Sequence, residues 1–278
     1  MLPSADPAGV PLPKSEQHMI RAFVLQRPLA WILAHPEYVP TPEEAAHLSA
    51  LTTRRQQGEP MAYVLGQREF YGLELAVGPA VLIPRPETET LVDWALTLEW
   101  PEYPAPPAVL DLGTGSGAIA IALKTHRPHW RISATDRSAA ALTLAQVNAQ
   151  RWHPQAASEP LRLLDGHWFE AVAQQRFHLI VSNPPYIAPQ DPHLGQGDLR
   201  FEPTSALVTQ AGGLQDLQHI ITHAPQHLFA GGWLLLEHGF DQGPACRDLL
   251  CQAGFAAVST RCDLAGQERV TGGWMPAP

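Results

Sequence analysis

Ser182-Asn183-Pro184-Pro185-Tyr186 follows directly on the apolar run Phe177-His178-Leu179-Ile180-Val181. A short apolar run closed by polar residues and two prolines reads as a buried strand that stops abruptly and opens into a loop. Each proline fixes φ at about −65° and lacks an N–H, so the backbone after Asn183 is extended and its carbonyls stay free as acceptors. The Pro184 carbonyl can then converge with the Asn183 side-chain oxygen. Two convergent acceptors suit a planar NH2 group, which has two hydrogens to donate. The target of such a site is an amide or an aromatic amine, and Tyr186 adds a flat apolar face to hold it against. Taken alone, Asn-Pro-Pro-Tyr also reads as a plain strand-ending turn, because Asn and Pro are common turn formers.

A second motif, Asp111-Leu112-Gly113-Thr114-Gly115-Ser116-Gly117-Ala118, ends a strand and opens a helix through Ile119 to Lys124. Its glycines let the backbone turn tightly and approach a ligand, and the helix N-terminus presents free N–H groups. Two readings compete. Gly113-x-Gly115-x-x-Ala118 satisfies a loose nucleotide fingerprint with pyrophosphate at the helix N-terminus. Asp111, however, lies two residues before the first glycine, where a carboxylate repels a pyrophosphate and attracts the ammonium of an amino-acid-like cofactor. Asp136, at the end of the next strand, can accept from both hydroxyls of an adenosine ribose, or serve as a helix cap before Ser138. Asp111 with Asp136 fits S-adenosylmethionine better than NAD.

A methyl carried on a sulfonium needs no metal and no covalent intermediate, only an aligned nucleophile. An amide or aryl amine nitrogen is weakly nucleophilic because its lone pair is delocalised, so acceptors that align it supply the catalysis. A strong base is unnecessary, since the nitrogen becomes acidic only once transfer is under way. The absence of a candidate base beside Asn183 is consistent with that chemistry.

Other constellations carry less. His219, His223 and His227 recur every four residues, but Leu217, Ile220, Ala224 and Leu228 supply the buried stripe, so the histidines are expected to face solvent. No carboxylate or cysteine completes a metal set there, Pro225 threatens the helix, and no metal is expected. Cys246, Cys251 and Cys262 are odd in number, lie in the last fifth of the chain and form no Cys-x-x-Cys pair, so neither a disulfide framework nor a cysteine zinc site is expected. The net charge of −9 divides into 6 basic and 8 acidic residues over 1–82, and 12 and 19 over 83–278. Neither part has the basic excess of a protein that grips a phosphate backbone. No apolar run is long enough for a membrane helix and the first residues do not read as a signal peptide, so a cytoplasmic protein is expected.

The elements that must position these residues follow from pattern. Met1 to Pro13 is a proline-rich lead. Helical spacing starts at Ser15, with Met19, Ile20, Phe23, Val24 and then Leu29, Ile32, Leu33. Thr41-Pro42-Glu43-Glu44 is a capping box, Ala45, Leu48 and Leu51 form the expected buried stripe, and Gly58 is placed to end the helix. Tyr63 to Leu65 and Phe70 to Val77 are rich in β-formers and read as a hairpin or connector. Ile83-Pro84-Arg85-Pro86 is stiff, and Glu87-Thr88-Glu89 opens a helix through Leu91, Val92, Ala95 and Leu98. Pro101, Pro104, Pro106 and Pro107 form a rigid spacer. Strands are expected at 109–112, 131–135, 161–164, 177–181, 233–237, 256–260 and 269–271. Their alternation with helices predicts an α/β fold with a seven-stranded, mainly parallel, doubly wound sheet, whose ligands sit beyond the carboxyl ends of the strands.

In these segments the chain resembles the release-factor glutamine N5-methyltransferases. The resemblance covers nearly the whole chain: Gly58-Glu59-Pro60-Met61-Ala62-Tyr63, Ile83-Pro84-Arg85-Pro86-Glu87-Thr88-Glu89, the glycine loop, Asn183-Pro184-Pro185-Tyr186 and Phe201-Glu202-Pro203 stand in family order. The Ile-Pro-Arg-Pro-x-Thr-Glu and Phe-Glu-Pro segments are the specific parts, since Asn-Pro-Pro-Tyr is shared with amine methyltransferases of DNA and RNA. The resemblance implies a helical substrate-recognition domain over residues 1–66, a β-hairpin linker over 67–85 and an S-adenosylmethionine-dependent class I methyltransferase domain over 86–278. It implies that the substrate is the glutamine of the Gly-Gly-Gln motif in class I peptide chain release factors, with no direct nucleic-acid or membrane partner.

Carried over by position, the cofactor touches Gly113, Thr114, Gly115, Ser116, Gly117, Asp136, Trp168 and Asn183, while Asn183, Pro184, Pro185 and Tyr186 hold the glutamine. Members usually have an acidic residue just before the aromatic; here His167 precedes Trp168, and Asp165 or a backbone carbonyl is the expected partner of the adenine amino group. Two rivals are an exocyclic-amine methyltransferase of DNA or RNA and a non-catalytic protein that keeps the fold as a binding platform. The negative charge weighs against the first, and the intact Asp111, Asp136 and Asn183 against the second.

Overall fold

The computed structural model describes residues 11–100, 105–153 and 159–277. The proline-rich lead up to residue 10 and Pro101 and Pro104 of the spacer lie outside the described residues. The chain packs as two compact units, Met1–Gln67 with Pro192–Phe201, and Arg68–Asp191 with Glu202–Pro278.

The first unit is built from α1 (Lys14–Val24), α2 (Leu29–Ala34), α3 (Pro42–Gln56) and α4 (Met61–Leu65). The capping box forms as the spacing predicts: Thr41 Oγ1 accepts from the Glu44 N–H at 3.2 Å and the Glu44 carboxylate accepts from the Thr41 N–H at 2.8 Å. Such a cap stabilises a helix by about 1 kcal/mol. Gly58, one residue beyond the cap of α3, takes φ +89°, a conformation that glycine adopts without a Cβ clash.

The core of this unit is Ile20, Leu51 and Val64, with Leu48 partly buried against it. Ala45 is exposed, unlike the buried stripe expected from sequence, because α3 makes its core contact through its later turns. Met19, Leu29 and Leu33 of the earlier apolar spacing are likewise exposed. Tyr63 to Leu65 lie in a helix instead of a connector strand. Pro60 starts that helix, its carbonyl accepting from Tyr63 and Val64, so the β-forming composition is overridden. Arg54 pairs with Glu59 and Arg55 with Glu16 at 2.8 Å.

The second unit opens with an antiparallel hairpin, β1 (Gln67–Phe70) and β2 (Leu73–Ala76), then α5 (Glu89–Leu96), which ends two residues short of Leu98. Next come β3 (Ala108–Leu112), α6 (Ala118–His126), β4 (Arg131–Asp136), α7 (Ala139–Trp152), β5 (Arg162–Asp165) and β6 (Phe177–Ser182). The short turns α8 (Thr204–Leu207) and α9 (Gln210–Gly213) lead to α10 (Gln215–His223), β7 (Leu228–Glu237), α11 (Gly243–Gln252), β8 (Ala256–Cys262) and β9 (Glu268–Trp274). Among the described residues the main sheet has seven strands in the order β5-β4-β3-β6-β7-β9-β8, with only β9 antiparallel to its neighbours.

Successive strand residues enter opposite cores, as a sheet covered on both faces requires. Val109, Leu179 and Leu235 join one hydrophobic cluster, and Leu110, Ile180 and Leu234 the other. Phe70, Leu73 and Leu75 of the hairpin belong to the first cluster, so the hairpin is part of this unit's core. α10 ends at His223 and Pro225 turns the chain into a 3-10 segment, which shifts the helical phase. His219 is exposed as expected, but His227 is buried, stacked on Phe169 with ring centroids 4.4 Å apart.

Candidate active site

The strand order reverses between β3 and β6, and the register Leu112↔Ser182 sets the loops after these strands side by side. Ser182 Oγ donates to the Leu112 carbonyl at 2.7 Å and fixes that alignment. The glycine loop and Asn183 therefore meet at the topological switch point, where open α/β sheets place their ligands.

An open cleft lies there. Gly113, Thr114, Gly115, Ser116, Asp136, Trp168, Asn183 and Pro185 line it, together with Val81, Pro84, Arg85 and Thr88 from the stiff segment before α5. Asp111, Gly117, Pro184 and Tyr186 are not among the residues that line it.

The glycine loop is held from three sides. The Gly113 and Thr114 N–H groups donate to the Thr135 carbonyl at 2.9 and 3.0 Å. Asp136 accepts from Gly115 N–H through Oδ2 and from Ser138 N–H through Oδ1, both at 2.8 Å. Two backbone donors thus fix a carboxylate whose remaining lone pairs face the cleft, so the cap role and an acceptor role coexist. Asn148, fully buried on α7, donates to the carbonyls of Ser116 and Ala76 at 2.9 Å and accepts from the Ala76 N–H at 2.6 Å. It ties the loop to β2. The position was legible only as a polar residue on the same face as Ala141, Ala145 and Ala149.

Gly113 takes φ +69°, and a Cβ there would lie 3.2 Å from the Trp168 ring. The indole therefore forms one wall of the loop, and it is held by the Thr135 hydroxyl donating to the Trp168 carbonyl at 3.0 Å. Trp168 itself takes φ +51°, a conformation costly for a bulky residue and concentrated at functional sites. Its Nε1 is buried with no hydrogen-bond partner among the described residues. Asp165, expected as one possible adenine partner, is exposed and off the cleft, whereas Gly166, His167 and Asp216 line it.

Asp111 is fully buried. Its Oδ2 accepts from Thr114 Oγ1 at 2.6 Å and from the Ala120 N–H at 3.2 Å, while Oδ1 has no partner among the described residues. Burial pushes its pKa up to about 7, against the pull of those two hydrogen bonds.

Asn183 Nδ2 donates to Thr88 Oγ1 at 3.2 Å, which leaves its Oδ1 as the free acceptor. Behind it sits Glu237, 1% exposed at the end of β7. Burial raises the Glu237 pKa to about 7, opposed by the nearby Thr88 hydroxyl, the charge of Arg269 and the Tyr186 hydroxyl. The Tyr186 hydroxyl donates to Glu237 Oε1 at 3.4 Å, and burial with that nearby carboxylate raises the phenol pKa. Tyr186 is thus bound from behind, and its backbone carbonyl accepts from Gln242 Nε2 at 3.1 Å.

The two segments most specific to the family resemblance meet. The Glu202 carboxylate, with a fully buried side chain, accepts from the Ile83 N–H at 3.0 Å and pairs with the Arg85 guanidinium. Asn148 and Glu237 were not singled out from sequence as site residues, and Thr88 and Glu202 only as parts of motifs.

Among the described residues no cluster of His, Cys, Asp or Glu could hold a metal ion, and no helix is long and apolar enough to cross a membrane. Residues 6–66 match the family model of the PrmC N-terminal domain, and residues 101–215 that of the methyltransferase small domain. The chain is 51% identical over 275 residues to the release factor glutamine methyltransferase of Bordetella pertussis, covering 98% of this chain and 97% of that one. It is 48% identical over 259 residues to the Escherichia coli protein of the same name, covering 93% and 91%. A solved methyltransferase from Pyrococcus furiosus shares the fold, with a TM-score of 0.56 at 16% identity over 82% of this chain and 100% of that chain. With about half its residues identical to such relatives over nearly its whole length, the chain belongs to the release factor glutamine methyltransferase family.

Proposed function

We propose that this chain transfers a methyl group from S-adenosylmethionine to the side-chain amide nitrogen of the glutamine in the Gly-Gly-Gln motif of class I peptide chain release factors, in the cytoplasm. The observation that carries the reading is the Asn183 amide, whose nitrogen is engaged by Thr88 and whose oxygen is left as an acceptor beside the glycine loop. When bound, S-adenosylmethionine supplies an electrophilic methyl on a sulfonium.

The residues fit that cofactor. Asp111 Oδ1, buried and without a partner among the described residues, suits an ammonium. Asp136, held by two backbone N–H groups, has acceptor capacity left for ribose hydroxyls. Trp168 and Gly113 offer a flat wall for a purine. On the substrate side, Asn183 Oδ1 and the Pro184 carbonyl accept the two hydrogens of the glutamine NH2 and orient its nitrogen toward the methyl, while Pro185 lines the cleft. The proton leaves after transfer begins, so no strong base is required of the chain. The helical N-terminal unit contributes surface for choosing the release factor, because one glutamine side chain is too small to be selected among all others.

The nucleic-acid reading is not favoured, since the relatives are named for release factors and the chain is acidic. Incubation with methyl-labelled S-adenosylmethionine, purified release factor and a DNA and RNA control tests the proposal. Label is expected in release factor alone. Label in nucleic acid with none in release factor would sink it.

A further inference from the structure

Gln242, half-buried just ahead of α11, commits its whole side-chain amide to three loops. Its Nε2 donates to the Tyr186 carbonyl at 3.1 Å and to the Gly213 carbonyl at 3.2 Å, and its Oε1 accepts from the Gly239 N–H at 2.8 Å. A carboxamide has two hydrogens, so both are in use. The approach is close: Gly213 takes φ +90°, and a Cβ there would run into the Tyr186 carbonyl oxygen and lie 2.7 Å from Gln242 Nε2. The base of this junction is firm. The Gly239 carbonyl can only accept, so His238 Nδ1, 2.8 Å away, carries the hydrogen, and that fully buried ring sets its Nε2 2.7 Å from the Thr271 hydroxyl.

We propose that Gln242 is a positioning residue for methyl transfer: by holding the Tyr186 carbonyl it fixes the far end of the Asn-Pro-Pro-Tyr loop and so aims the Pro184 carbonyl at the substrate amide. This deepens the proposed function and rests on it. The near end of the loop is tied where Asn183 Nδ2 donates to Thr88 Oγ1 at 3.2 Å. At the far end, the Tyr186 carbonyl shares a peptide plane with the Ile187 N–H, which donates to the Leu207 carbonyl at 3.0 Å. The plane is thus held on both sides, and without Gln242 it is free to turn about the one remaining bond. Between the two ends the proline rings remove the φ freedom of residues 184 and 185, so few soft torsions are left to absorb such a tilt. Misplacing an orienting group by about 1 Å costs up to about 100-fold in rate.

The test compares wild type with Gln242→Ala, Gln242→Met and Gln242→Glu. It reads kcat and KM on purified release factor, S-adenosylhomocysteine affinity by calorimetry, and the thermal midpoint. Alanine and methionine release the carbonyl and should each lower kcat at least about fivefold; glutamate sets an acceptor against two carbonyl oxygens and should lower it roughly 10- to 100-fold. KM and cofactor affinity should each stay within about threefold, because Gln242 does not line the cleft. Methionine nearly matches glutamine in volume, so a role in packing alone would leave Gln242→Met close to wild type, whereas a role through hydrogen bonds groups it with Gln242→Ala.

Gln242→Met or Gln242→Ala with kcat within about twofold of wild type overturns the inference. So does a loss of kcat matched by an equal loss of cofactor affinity, or a thermal midpoint that falls to the assay temperature in both, since the residue is then structural. Should Gln242→Glu fail to fold, the alanine and methionine variants decide by the same criteria. Turnover by wild type separates the two readings: a wild type inactive on release factor sinks the proposed function and this inference with it, while an active wild type with unaffected variants sinks this inference alone.

Discussion

Cofactor affinity should depend on pH through Asp111, and the size of the effect follows from its surroundings. The carboxyl is fully buried, its Oδ1 has no partner among the described residues, and burial holds its pKa at about 7 instead of the ordinary 3.8. An ammonium is attracted only by the ionised form. With a pKa of about 7, roughly 9% of the protein is ionised at Asp111 at pH 6 and about 76% at pH 7.5, so affinity rises about eightfold, or about 1.2 kcal/mol. An amino-acid ammonium largely keeps its charge over that range.

The sign for stability is opposite. A carboxyl whose folded pKa is raised favours folding fully below its unfolded pKa, and that contribution is lost as pH rises through the folded value. The ligand-free protein should therefore lose stability between pH 4 and pH 7, by up to about 4 kcal/mol from this group. The assay is calorimetric titration with S-adenosylhomocysteine, which carries the same ammonium and does not react, at pH 6, 6.5, 7 and 7.5, on wild type and Asp111→Asn. The variant should bind more weakly at pH 7.5 and show a flat profile. Equal slopes for wild type and Asp111→Asn would refute an Asp111–ammonium contact, and the loop would then be using Asp111 only to tie down Thr114 and Ala120.

Three further outcomes are expected. Asn183→Ala removes the aligned acceptor and should cost about 3 kcal/mol in the transition state with a smaller change in cofactor affinity; near-normal kcat would remove the mechanism. Trp168→Ala should weaken S-adenosylhomocysteine binding by about 1 kcal/mol or more. His167→Ala and Asp165→Ala should each change it by no more than a few fold in the same titration, and the reverse order would make His167 the adenine partner. A chain starting at Arg68, which keeps the hairpin residues Phe70, Leu73 and Leu75 in their core, should retain cofactor binding and lose most activity on intact release factor. Full activity would leave the helical unit no docking role.

The parts of this molecule that were legible in the sequence are those specified locally. A run such as Phe177 to Val181, ended by Asn-Pro-Pro, declares a strand and its stop whatever surrounds it, and the glycine loop and the Thr41–Glu44 cap are likewise written within a few residues. The parts that were not legible depend on distant partners. Glu202 meets Ile83 and Arg85 from 117 or more positions away, and Asn148 reaches Ala76 across 72. Glu237 read simply as the end of a strand, because its hydrogen-bond partner Tyr186 stands 51 positions away on another element. His227 was misplaced for a related reason: Pro225 altered the helical phase that the four-residue spacing assumed. Tyr63 to Leu65 show the converse, a local composition overridden by the proline that precedes it.

The most direct test of the central claim is to map the methyl by tandem mass spectrometry. Purified release factor is incubated with this protein and S-adenosylmethionine, digested, and the peptide carrying Gly-Gly-Gln is fragmented. The expected result is a single added methyl on the side-chain amide nitrogen of that glutamine with wild type, and little or none with Asn183→Ala. A methyl on any other residue, or an unmodified glutamine under conditions in which the protein methylates an amine of DNA or RNA, would contradict it.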